Sequence, residues 1–151
     1  MVVDWGTGGG LPLIPLAIAF PDVHFVGVDS VLKKVFAVRS MVRQLGLPNV
    51  EVWSGRAEEW AGKADYSVSR ATAPLTELWR WHGRVASERA DARRPEKAWE
   101  HGVVCLKGGD LSEEVDAIKT VFPRVRVDEY PLDSSVYGGQ FADKVIVTVT
   151  H

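Results

Sequence analysis

Val2-Val3-Asp4-Trp5-Gly6-Thr7-Gly8-Gly9-Gly10-Leu11-Pro12 opens the chain and decides how the rest is read. It has the form of a short apolar strand, an acid, a glycine-dense turn and a helix started by proline. Glycine at such a turn allows positive φ and lets a ligand approach main-chain N–H groups with no Cβ in the way. In an open α/β sheet, a strand–glycine turn–helix unit is where a nucleotide-like cofactor binds. The turn therefore predicts both a sheet class and a ligand class.

The composition suits one soluble globular domain spanning residues 1–151, with 46% hydrophobic and 25% charged residues. No apolar run reaches the ~20 residues needed to span a bilayer, and Asp4 interrupts any signal-peptide core, so a cytoplasmic protein is expected. Cys105 is the sole cysteine, which excludes an internal disulfide and a cysteine-rich zinc site. A net charge of −2 gives no global pull toward nucleic acid, so such a partner requires a local patch.

Outward from the turn, Leu11 to Phe20 is an apolar helix with Pro12 and Pro15 in its first turn, where a missing N–H costs nothing. His24 to Val28 is a buried strand ending at Asp29. Ser30 is placed to cap a helix over Val31 to Leu45, closed by Gly46, with Val31, Val35, Val38, Val42 and Leu45 facing the core. Val50 to Trp53 is a third strand, followed by a short helix within Gly55 to Trp60. Tyr66 to Ser69 is a fourth strand ending at Arg70, and Pro74 or Thr76 starts the next helix. Trp79 and Trp81 on that helix cannot both face the core; one can cover neighbouring apolar surface or stack on a base. Arg84 to Glu100 is polar and charged, the segment expected to be mobile or at the surface. Gly102 to Leu106 is a fifth strand, Leu111 to Phe122 a helix, and Val125 to Val127 and Lys144 to Val149 are late strands joined through Gly138 and Gly139. The order βαβαβαβαβαββ predicts an α/β fold: a mainly parallel sheet, helices on both faces and an antiparallel edge hairpin.

The glycines do not match the dinucleotide spacing G-x-G-x-x-G, because position 11 is leucine. Glycines at 6, 8 and 10 behind Asp4 instead resemble the first motif of Rossmann-like methyltransferases that use S-adenosylmethionine (SAM). Asp29, at the end of the second strand, suits a pair of ribose hydroxyls, since a carboxylate accepts two donors. Longer strings narrow the resemblance. Asp4 to Pro12, Ile14 to Ile18, Val28-Asp29-Ser30, Lys33-Lys34, Gly55-Arg56-Ala57-Glu58-Glu59, Ser69-Arg70-Ala71, Ala73-Pro74-Leu75 and Leu106-Lys107-Gly108-Gly109 together resemble the RsmG family, also called GidB (glucose-inhibited division protein B).

That resemblance implies a seven-stranded SAM-dependent methyltransferase that transfers a methyl group to N7 of a guanine in 16S rRNA, with the small ribosomal subunit as partner. It implies cofactor contacts at Asp4, Gly6, Gly8, Gly10, Leu11, Asp29, Ala57, Glu58 and Arg70. Arg56, Lys34 and Lys107 match basic positions of the family and are expected to face phosphate or the target base. No catalytic side chain is assigned, because guanine N7 carries a free lone pair and positioning supplies the rate.

Plainer roles stand beside these. Asp29 can serve the start of the next helix, Glu58 and Glu59 can be first-turn acids, Arg70 an ion pair, and Lys33 and Lys34 a solvated face. Cys105 reads as core, and the four histidines show no ligand spacing. Two departures from the family are expected to matter. Leu13 replaces a usual glycine and would crowd the turn. The family's N-terminal helical extension is absent, which would open part of the first strand's face to self-association and favours a SAM-binding module without catalysis as the alternative.

Overall fold

In the computed structural model, residues 1–70, 72–87 and 101–151 are described. Seven strands alternate with helices: β1 (Val2–Trp5), α1 (Leu13–Ala19), β2 (Phe25–Asp29), α2 (Leu32–Gln44), β3 (Val50–Ser54), β4 (Tyr66–Arg70), α3 (Leu75–Val85), β5 (Gly102–Gly108), α4 (Ser112–Val121), β6 (Arg126–Pro131), α5 (Ser134–Tyr137) and β7 (Lys144–Thr150). Single 3-10 turns lie at Ala57–Glu59 and Gly139–Phe141. The strands form one sheet in the order β3-β2-β1-β4-β5-β7-β6. β1 to β5 are parallel, and β7 runs antiparallel between β5 and β6. The predicted class, face assignment and edge hairpin all hold.

Alternation along the strands divides the core in two. Val26 and Val28 of β2 join Val3, Trp5, Val103 and Val147 under α3 and α4. Phe25, on the other face, joins Leu13, Ile14 and Ala17 of α1 and Val38 of α2. Burying both faces lets the parallel strands read as continuous apolar runs. β1 is third in the sheet, and Val3, Asp4 and Trp5 are buried, with only Val2 half-buried. The expected opening of the first strand's face is therefore not found.

Several local expectations shift. α1 starts at Leu13, with Pro12 at its N-cap and Pro15 alone of the two prolines inside the first turn. Ser30 does not cap α2; the helix begins after Val31, whose N–H is held by Asp29 Oδ1 at 2.8 Å. Gly46 closes α2 at φ +62°, with Gly46 N–H donating to Arg43 O and Leu47 N–H to Val42 O, the two bonds of a Schellman end. Val35 and Val38 are buried as expected, but Val31 and Leu45 at the ends of the stripe are exposed. β6 is longer than its apolar residues suggested, because the edge is polar and pairs through its backbone. Of the polar segment 84–100, residues 88–100 lie outside the described residues.

Candidate cofactor cleft

β1 runs directly into the glycine turn, which is tied to β2: the N–H groups of Gly6 and Thr7 both donate to Val28 O, at 2.8 and 3.0 Å. Gly6 and Gly8 stand at φ +67° and +55°. A Cβ at Gly6 would collide with the Thr72 side chain, so position 6 needs glycine for conformation and for space. Gly8 N–H donates to Asp29 Oδ2 at 2.9 Å. Asp29 thus joins the turn after β1 to the start of α2, one oxygen on each. The helix-start role and the cleft role of Asp29 coexist in one carboxylate.

A cavity of about 630 Å³ opens where β1 to β4 end. That is the size of a small-molecule site, at the place where open α/β sheets bind ligands. Of the residues expected at the cofactor, Gly6, Gly8, Asp29, Ala57, Glu58 and Arg70 line it, and so do Lys34 and Arg56. Its charges are mixed: Lys34, Arg56 and Arg70 stand among Asp29, Glu58 and Glu77. The short turn at Ala57 is braced by Arg56 N–H donating to the Glu59 carboxylate at 3.2 Å.

Four expected residues, Asp4, Gly10, Leu11 and Lys107, do not line the cavity. Gly10 sits behind the turn, packed toward Ile14. Leu11 is exposed and outside the cavity lining. Lys107 is not a surface cation: it is buried, and its Nζ donates to Ala73 O at 2.8 Å and to the Glu114 carboxylate at 2.8 and 3.2 Å. Glu114 also accepts Leu75 N–H at 3.0 Å, so the pair anchors the start of α3. Lys107 is therefore paired inside the fold and stands outside the cavity lining.

Asp4 is 1% exposed, and neither of its oxygens makes a hydrogen bond of good geometry with a described residue; nor does Thr7 Oγ1 beside it. Burial pushes the Asp4 carboxyl up to about 7, against the weaker downward pull of the nearby Thr7 hydroxyl, Leu13 N–H and Arg70. A buried carboxylate without a partner, just behind a glycine turn, is the group a bound cation or polar ligand atom satisfies.

Leu13 does not crowd the turn. It is fully buried on the α1 side, in space that Gly27 leaves: a Cβ on Gly27 would stand 2.6 Å from Leu13 Cδ2. Ser30, Val31, Gly55, Thr72, Glu77 and Trp81 line the cavity without having been singled out for the cofactor. For Trp81 a signal existed. Leu75, Leu78, Trp79, His82 and Val85 form the buried face of α3, which leaves Trp81 at its flank. There its ring packs 5.9 Å from that of Trp5, and its Nε1–H donates to Glu58 Oε1 at 3.2 Å. Cys105 is core as expected, its thiol pushed up to about 12 by burial. His82 is core as well, hydrogen-bonded to Ser67 Oγ at 2.9 Å and pushed down to about 4 by burial. Among the described residues no group of His, Cys, Asp and Glu has metal-site geometry, and no helix is long and apolar enough to cross a membrane.

This strand order, with its glycine turn and second-strand acid, defines the architecture of SAM-dependent methyltransferases. Solved structures of that class share it. The chain is similar to ribosomal protein L11 methylase from Lactobacillus delbrueckii subsp. bulgaricus (TM-score 0.66, 16% identity, 99% of this chain and 70% of that one). It is also similar to Aeropyrum pernix fibrillarin, solved with natively bound S-adenosyl-L-methionine (TM-score 0.67, 11% identity, 99% and 65%). Residues 1–92 match the family model GidB, rRNA small subunit methyltransferase G. Ribosomal RNA small subunit methyltransferase G of Salinibacter ruber is 55% identical over 149 residues, covering 98% of this chain and 68% of the relative. The Christiangramia forsetii protein of the same name is 42% identical over 120 residues, covering 79% and 54%. The chain belongs to the GidB family. It spans about two thirds of the Salinibacter relative and about half of several others.

Proposed function

We propose that the chain binds SAM in this cleft and, in the cytoplasm, transfers its methyl group to N7 of a guanine in 16S rRNA, acting on the small ribosomal subunit. The observation that carries the reading is the Asp29 carboxylate. Gly8 and Val31 fix it through one backbone N–H on each oxygen, which leaves its remaining lone pairs at the mouth of a cavity of nucleoside size. In that position it accepts ribose hydroxyls. Asp4 receives the ammonium end of the amino-acid portion, directly or through water, and Arg70 offers its guanidinium to the carboxylate end. Gly6 and Gly8 supply the close backbone approach, and Ala57-Glu58 bounds the adenine side.

SAM supplies a methyl group on a positively charged sulfur. Guanine N7 attacks with its own lone pair, so this chain's residues need not take a proton before the methyl moves. Their work is to hold the two reactants in line and to balance charge, a task the mixed cleft of Lys34, Arg56, Arg70, Asp29, Glu58 and Glu77 suits.

Calorimetric titration with SAM and its demethylated product tests binding. Asp29→Ala is expected to weaken it about 10- to 100-fold, the loss of hydrogen bonds to a charged acceptor. No heat from the unmodified chain at millimolar ligand would overturn the reading. Transfer of labelled methyl to undermethylated small subunits separates the enzyme from the alternative of a SAM-binding module, which would give heat and no transfer.

A further inference from the structure

α2 carries Lys33, Lys34, Arg39 and Arg43 and no acid, in a chain whose net charge is −2. Arg39 is already used: its Nε and Nη2 donate to Val52 O at 3.2 and 2.8 Å and cover the edge strand β3. Lys33, Lys34 and Arg43 form no ion pair with any described residue. The same helix exposes two large apolar side chains, Leu32 at 60% and Phe36 at 62%. Val35 and Val38 face the core, so Leu32, Lys33, Phe36 and Arg43 fall on the opposite, solvent side of the helix. The helix starts at the cleft, because Val31 and Lys34 line it, and leads away from it for roughly 20 Å.

An exposed aromatic ring among unpaired cations is the chemistry that holds single-stranded nucleic acid. Cations neutralise phosphates, and the ring takes the face of a base. A neutral or acidic overall charge does not prevent this when the cations are gathered on one helix. A purely apolar partner surface would have to bury Lys33 and Arg43 without counter-charges, which is costly. We propose that α2 grips the RNA strand next to the target: single-stranded RNA leaving the cleft lies along Lys33 and Arg43 with one base stacked on Phe36. The proposal rests on the RNA-methyltransferase reading above, but its test does not depend on methyl transfer.

The test is fluorescence anisotropy of a short, unstructured, labelled RNA with the full chain at several salt concentrations. Phe36→Ala is expected to weaken binding about 5- to 150-fold, the worth of one stacked base, and Phe36→Trp to restore it. Lys33→Ala/Arg43→Ala is expected to weaken binding and to lower the salt slope by about 1.4, since two phosphate contacts are lost. Calorimetry with SAM should give unaltered heats for all three variants, since none of these residues lines the cleft. Loss of RNA binding with intact SAM binding supports the proposal even if methyl transfer to ribosomal subunits fails. RNA affinity and salt slope unchanged in both alanine variants would overturn it. So would a dimer, seen by sedimentation, that Phe36→Asp separates while RNA affinity stays the same, because the exposed face would then belong to a second copy.

Discussion

At the junction of β5 and α4, Lys107 is buried with its ammonium on the Glu114 carboxylate and the Ala73 carbonyl, and Glu114 also holds Leu75 N–H. Near the end of β1, Asp4 is buried still more deeply, and its oxygens make no hydrogen bond of good geometry with a described residue. Both lie near the C-terminal end of an apolar strand, and the charges were expected at the cofactor and at the RNA respectively. The first network is closed and does structural work. The second is open, and a folded chain tolerates an open buried charge where a ligand completes it. What separates the two regions is the state of the partners rather than the depth of burial.

Opening the closed network should give the largest stability change. Glu114→Ala leaves Lys107 buried without its counter-charge and removes the acceptor for Leu75 N–H. The expected loss is about 3 kcal/mol, at the low end for broken buried pairs because Glu114 is itself a third exposed. That corresponds to a fall in Tm of roughly 6–12 °C for a domain of this size. SAM binding measured well below the transition should be unchanged. If Glu114→Ala instead abolishes SAM binding while leaving Tm in place, Lys107 belongs to the site after all.

Neutralising the open charge should act in the opposite direction. The folded-state pKa of Asp4 is raised, to about 7. Its contribution to stability is therefore fully present below the ordinary carboxylate pKa and is lost as pH rises through about 7. Asp4→Asn removes that loss: relative to the parent chain its Tm should rise by several degrees at pH 8 and gain little at pH 4. The same variant should bind SAM more weakly at pH 8. In the parent chain, affinity should increase between pH 6 and 8 as the carboxyl ionises opposite a cationic ligand, and the variant should lose that dependence. His82 adds a separate signal of the other sign. Its folded pKa is lowered, to about 4, so its contribution is lost as pH falls from about 6.5 toward 4. His82→Asn should flatten the acid limb of a Tm–pH curve and leave the limb between pH 6.5 and 8 to Asp4.

The fold was legible because its signals are local. β-strand runs, glycine at Gly6 and Gly8, and the acid closing β2 each dictate backbone geometry within a few residues, and the order of elements then allows few topologies. The pairing of Lys107 was not legible because its partner comes from a helix across a turn, and a sequence string shows a charge but not whether that charge is already paired. Leu13 was misread for a similar reason: the compensating absence of a side chain is at Gly27, on the neighbouring strand. Ser30 is a good cap by type, yet Asp29 reaches the α2 N–H first because it also holds Gly8. Trp81 needed a count of the α3 face rather than a motif.

Glu58 lies between the two extremes and carries the smallest expected effect. It is exposed on the cleft, and its one described partner is the Trp81 indole N–H, at 3.2 Å. The Trp81 ring in turn rests on Trp5, which is fully buried next to Asp4. The bond therefore holds an acid of the cleft lining in register with the buried end of β1. Trp81→Phe keeps most of the ring contact and removes only the donor. Stability should change by less than about 1 kcal/mol, since an exposed hydrogen bond to a group that water can reach contributes little net. SAM affinity should fall about 2- to 10-fold, because Glu58 then samples other rotamers before it meets the ligand. Trp81→Leu, which also removes the ring, should cost stability as well as affinity. If Trp81→Phe binds SAM as tightly as the parent chain, the bond to Glu58 is a bystander, and the cleft is ordered by its backbone clamp at Asp29 alone.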